Sequence, residues 1–170
     1  AGFFSSSVFG VATEAHLDYL KRGGRIELIC SDMVSPADAA AFGRGVYERP
    51  KIKRAWALED LGVDQVGEAP TLPDFVAWLI ATDRLLVRVA RFVGSSHTNM
   101  YHEKIGIFYD ADGNLVAFGG SANETEHGYV SNFERVDTFA SFGSPTDRRR
   151  AFAIERHFLE LWNGETPGIE

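Results

Sequence analysis

His102 and Lys104, then Ser121 and Asn123, then Glu134 are the residues of this chain whose types and spacing suit chemistry on a phosphate ester. An imidazole can attack phosphorus, an ammonium, a hydroxyl and a carboxamide can bind its anionic oxygens, and a carboxylate can orient an imidazole. In a strand alternate side chains share a face, so His102 and Lys104 project to one side, and Ser121 and Asn123 do the same.

The elements that must position these groups are legible between them. Ile105 to Tyr109 is an apolar strand, Asp110-Ala111-Asp112-Gly113-Asn114 a turn, and Leu115 to Phe118 a second apolar strand, which together predict a β-hairpin. Neighbouring strands would bring the four polar groups together at the mouth of the sheet. Gly119 and Gly120 are expected to let the backbone approach a ligand and to present its N–H groups.

His-x-Lys at 102–104, Gly-Ser-x-Asn at 120–123 and the acid Glu134 about a strand later resemble the signature of the phospholipase D superfamily. The family's further Asp, five residues after its Lys, is here Tyr109, with Asp110 one place on. Asp110 and Asp112 read as turn residues. Several nuclease-like branches of the superfamily also lack a strict Asp, so the departure argues against a true phospholipase more than against a phosphodiesterase. The opening Gly-Phe-Phe-Ser-Ser, the Asn-Glu-Thr at 123–125 and the closing Leu-Trp-Asn-Gly-Glu-Thr-Pro-Gly resemble the phospholipase D-like domain at the N-terminus of certain bacterial helicase or restriction-type proteins. The resemblance implies an α/β fold with a phospholipase D-like mixed β-sheet flanked by helices on both faces.

At 170 residues, 45% hydrophobic and 24% charged, the composition is that of one soluble globular domain. The expected division is a catalytic domain over 1–163 and, over 164–170, the start of a linker to a helicase-type region beyond Glu170. No apolar run approaches the ~18 residues of a membrane span and no secretory pattern opens the chain, so a cytoplasmic protein without a membrane partner is expected. The lone Cys30 excludes an intrachain disulfide and a Cys-rich zinc site, and reads as buried strand packing. A net charge of −7 predicts weak non-specific DNA binding, because such affinity rests on cations displacing counterions from phosphates. Basic clusters at Lys51-Ile52-Lys53-Arg54, at Arg84, Arg88 and Arg91, and at Arg148-Arg149-Arg150 read as solvated faces before DNA contacts.

In chain order, Gly2-Phe3-Phe4 ends a first strand, and Val8, Val11, Ala12, Ala15, Tyr19 and Leu20 line a helix stopped by Gly23-Gly24, with His16 structural beside them. Arg25 to Ser31 is a buried strand. Helices start at Ser35-Pro36-Ala37-Asp38, running towards Tyr47, at Thr71-Leu72-Pro73-Asp74 and at Ser144-Pro145-Thr146-Asp147. Residues 48–69 carry mixed signals, with Trp56 and Leu58 in a short helix. The expected buried stripes are Leu72, Phe75, Val76, Leu79 and Ile80 on the middle helix, and Ala151, Ile154, Phe158, Leu161 and Trp162 on the last. Leu85 to Val93 is a strand leading to the site, residues 94–100 a rim, and residues 132–139 a strand carrying Glu134.

What the resemblance implies is a metal-independent, cofactor-free nuclease or related phosphodiesterase working in two steps. His102 attacks phosphorus to form a phosphohistidine, a second His protonates the leaving oxygen and then activates water, Lys104, Ser121 and Asn123 stabilise the oxygens, and Glu134 holds the other ring nitrogen of a His. Neither His97 nor His127 has motif spacing, so the second His is expected from a homodimer that shares one active site. The implied partner is nucleic acid, DNA first. The rival readings are a phospholipid hydrolase or transferase, and a DNA-binding and dimerisation module whose catalysis is weak.

Overall fold

A computed structural model describes residues 4–11, 13–55, 71–94, 101–120 and 135–170. The chain is a mixed α/β protein of helices and small sheets. In the N-terminal half α1 (Val8–Val11) and α2 (Thr13–Lys21) occupy the span expected to be one helix. Gly23 and Gly24 stop it as expected, their N–H groups returning to Leu20 and Tyr19 at 3.0 Å each. His16 packs edge-on against Phe9, a structural role. Of the expected first strand, Gly2 and Phe3 lie outside the described residues, and Phe4 is buried.

β1 (Ile26–Ser31) pairs in parallel with β2 (Leu85–Ala90), from Ile26 opposite Leu85 to Ser31 opposite Ala90. A parallel pair needs a crossover, and α3 (Pro36–Tyr47), α4 (Arg49–Ala55) and α5 (Leu72–Ala81) belong to it. The cap signals are realised: Ser35 accepts from the Asp38 N–H, and Thr71 and Asp74 form a reciprocal capping box. Arg44 then ties α3 to the Asp74 carboxylate at 2.7 Å. Trp56 and Leu58 lie outside the described residues, and the helix found before them is α4.

α5 corrects the stripe expected of it. Phe75, Val76, Ala77, Trp78, Leu79, Ile80 and Ala81 are all buried, while Leu72 in the first turn is exposed. A helix apolar all round is one surrounded by protein, and α5 is the centre of a core that also takes Phe4, Phe9, Leu20, Leu28 and Leu85. Cys30 belongs to this core, fully buried as expected, and burial pushes its thiol up to about 11.

The second sheet is antiparallel, in the order β3 (Ile105–Tyr109), β4 (Leu115–Gly120), β5 (Val136–Ala140). The predicted hairpin turn is present. The Asp110 carboxylate accepts from the N–H groups of Asp112 and Asn114 at 2.9 and 2.8 Å, and Gly113 takes φ +79°. α6 (Pro145–Trp162), opened by a Ser144–Asp147 capping box, covers one face of this sheet through Leu115, Ala117 and Ala151, with Ile107, Phe139, Phe152 and Ile154 around them. Leu161, Phe158 and Trp162 pack instead with Ile29, Ala90 and Tyr101, beside the parallel pair.

One expectation changes. Among the described residues the strands form two small sheets where one mixed sheet was expected, because β2 pairs only with β1 and β3 only with β4. The segment 164–170, linker-like in composition, lies along the end of β2: Arg91 and Glu170 exchange backbone hydrogen bonds at 2.8 Å each, and the Val93 N–H reaches Gly168 at 3.0 Å. Backbone pairing needs no particular side chains, so composition did not announce it.

Candidate functional site

The His-x-Lys segment comes just before β3. The ladder begins at Ile105, opposite Gly119, and residues 101–104 are outside it. Side chains nevertheless alternate through the segment as they do in a strand. His102 and Lys104 meet on one side, with Lys104 Nζ 2.9 Å from His102 Nε2 and 3.1 Å from Nδ1. The ammonium thus lies against the imidazole at nearly equal distance from both ring nitrogens. The expected convergence of these two groups is therefore present.

Tyr101 and Glu103 turn the other way. The Tyr101 ring is buried against Ile29, Ala90 and Leu161, and its hydroxyl donates to Glu103 Oε2 at 3.0 Å. Burial, and then the neighbouring Glu103 carboxylate, push the Tyr101 hydroxyl well above its ordinary range. Glu103 Oε1 accepts from His157 Nε2 of α6 at 2.7 Å. Sequence reasoning passed over Glu103 and His157, since a contact between residues so far apart in the chain leaves no local pattern. The one available signal was parity, which puts Glu103 on the face opposite His102.

The two halves of the motif are joined by backbone. The Gly120 N–H donates to the Lys104 carbonyl at 3.1 Å, so the Gly-Ser-x-Asn run begins beside the Lys of His-x-Lys. This corrects the expected role of Gly120, whose N–H is taken by Lys104 and is not presented to a ligand. A Cβ at Gly120 would lie 2.1 Å from the Arg135 carbonyl oxygen, so glycine is required there by the close approach of β5. At Gly119 the nearest atom to a Cβ would be 3.9 Å away, and its backbone sits within the ladder opposite Ile105. Ser121, Asn123 and Glu134 lie outside the described residues, as do His97 and His127; β5 begins at Val136, two residues after Glu134.

At the other end of β3 lies Tyr109, where the phospholipase D signature would have an Asp. Its hydroxyl donates to Glu155 of α6 at 2.8 Å, and it is a packing contact remote from His102 in the strand. Asp110 serves the turn, held below the usual carboxylate range first by the Asn114 side chain.

The basic clusters have partners within the fold. Lys51 and Lys53 meet Glu48 and Asp83 at 3.1 and 3.7 Å. Arg84 donates to the Leu20 carbonyl, Arg88 reaches the Trp162 carbonyl and lies over its ring, and Arg91 pairs with Glu170. Arg148 and Arg150 lie over Phe152 and Phe139, and Arg149 donates to the Thr146 hydroxyl. Among the described residues no helix is long and apolar enough to cross a membrane. No family model, curated protein or solved structure matches the chain.

Proposed function

We propose that this chain is a phospholipase D-like phosphodiesterase of the nuclease branch, cleaving nucleic-acid phosphodiester bonds through a phosphohistidine at His102. The observation that carries the reading is the meeting of His102 and Lys104 on a segment whose backbone is bonded to Gly120, the first residue of Gly-Ser-x-Asn. The proposed nucleophile and a cation share one point, and Ser121 and Asn123 follow Gly120 directly in the sequence.

In the proposed reaction an imidazole nitrogen of His102 attacks phosphorus while the ester oxygen leaves with a proton from a second histidine. Lys104, which lies against the ring, turns to the phosphoryl oxygens as negative charge collects there. Water then displaces the phosphorus from His102, giving up its proton to the second histidine. Ser121 and Asn123 are assigned to the oxygens and Glu134 to the tautomer of a histidine, by resemblance to the family. A homodimer supplies the second His102.

The charge of −7 and the internal partners of the basic clusters favour a module that cuts where another region, such as a helicase-type motor, delivers DNA. A DNA-binding module without catalysis is the competing reading. Turnover of bis-p-nitrophenyl phosphate decides between them: wild type releases nitrophenol and His102→Ala does not if the proposal holds, and equal rates from both would end it.

A further inference from the structure

His102 and Lys104 precede the ladder, and the Gly120 N–H donates to the Lys104 carbonyl. The residue between the two motif members has both carboxylate oxygens engaged. Glu103 Oε2 takes the hydroxyl of buried Tyr101, and Oε1 takes His157 Nε2. His157 stands on α6, an 18-residue helix with a capping box, whose flanking residues Ile154, Phe158 and Leu161 pack on both sheets. The platform is therefore one of the better-fixed elements of the chain.

We infer that Glu103 and His157 are a positioning pair for the His-x-Lys segment, an inference that rests on His102 being the nucleophile. Successive side chains in an extended segment are coupled through the peptide units between them. Holding Glu103 towards α6 thus fixes the opposite direction of His102 on one side and Lys104 on the other. A nucleophile displaced by about 1 Å can lose on the order of 100-fold in rate, so this alignment matters far more to turnover than to folding. The pair is partly exposed, with side-chain exposures of 45% for His157 and 30% for Glu103, and polar pairs so exposed contribute little to global stability.

The test compares wild type, His157→Ala, His157→Gln and Glu155→Gln by steady-state turnover of bis-p-nitrophenyl phosphate and by amide hydrogen exchange at Gly120, whose N–H is bonded to the Lys104 carbonyl. His157→Ala is expected to lower kcat about 10-fold or more with KM nearly unchanged, and to speed exchange at Gly120 by a similar factor. His157→Gln keeps an N–H in reach of Glu103 and should recover most of both. Glu155→Gln removes the Tyr109 contact from the same helix and should alter neither. Unchanged exchange in His157→Ala, or faster exchange with unchanged kcat, overturns the positioning role. A wild type without turnover sinks the phosphodiesterase reading, and the exchange measurement then decides by itself whether the pair fixes the segment.

Discussion

Gly120 and Arg135 approach so closely across β4 and β5 that a Cβ on the glycine would stand 2.1 Å from the arginine's carbonyl oxygen. The obstacle is backbone, opposite a strand that pairs Gly120 with Val136, and it can move only by opening the ladder. The same glycine bonds Lys104, so one backbone position joins the sheet to the proposed site.

Gly120→Ala is therefore expected to cost about 1–3 kcal/mol, the range for forcing extra volume into a packed site. Gly119→Ala, one residue away with ordinary contacts only, should stay within about 0.5 kcal/mol. Urea unfolding of both variants checks this. Equal losses would mean that the glycines matter for strand propensity and not for the approach of Arg135.

What could be read in advance was what is local. Ser35, Thr71 and Ser144 each have a proline one or two residues on and an aspartate three residues on, and all three cap helices, because a cap is satisfied within four residues. The hairpin at Asp110 followed for the same reason. The meeting of His102 and Lys104 followed from strand parity alone. Illegible were relations across the chain: that α5 is enclosed all round, that Gly120 answers to Arg135, and that His157 reaches Glu103. Hydrophobic period reports how apolar a face is, and says nothing of how many neighbours surround it.

Alkaline pH should destabilise the fold through buried acids. Burial pushes the Cys30 thiol up to about 11 from an ordinary 9, and the hydroxyl of buried Tyr101 is raised as well. Each group stays neutral longer in the folded state than in the unfolded one. Their stabilisation is complete below the unfolded values and is lost as pH rises through the folded ones. For Cys30 the window runs from pH 9 to about 11 and the loss is about 2–3 kcal/mol. Denaturation midpoints of wild type and Cys30→Ala across that window should converge, the variant lacking this slope. Parallel pH profiles would contradict it.

Activity should not need a divalent metal. The groups that meet at 102–104 are an imidazole and an ammonium, and Lys104 supplies the charge that clustered carboxylates would otherwise recruit with magnesium. Lys104→Ala is expected to lower turnover of bis-p-nitrophenyl phosphate about 100-fold or more, the scale of removing a transition-state stabiliser. Wild-type turnover should be unchanged in EDTA. A rate abolished by EDTA and restored by magnesium would assign Lys104 a different part.

Shared-site catalysis makes a quantitative prediction, because the proposed mechanism uses two histidines and the chain has a single His-x-Lys. A two-fold axis apposes identical patches, so two copies of His102 can flank one phosphate, each with its own Lys104. The segment that would face the axis is the side of residues 102–104 turned away from α6, since Glu103 occupies the other. In mixtures of wild type with His102→Ala under conditions of subunit exchange, every mixed dimer then lacks one of its two histidines. Activity should fall as the square of the wild-type fraction. A linear fall would mean that each chain works alone, and full activity in a species that light scattering shows to be monomeric would place the second proton carrier within the chain itself.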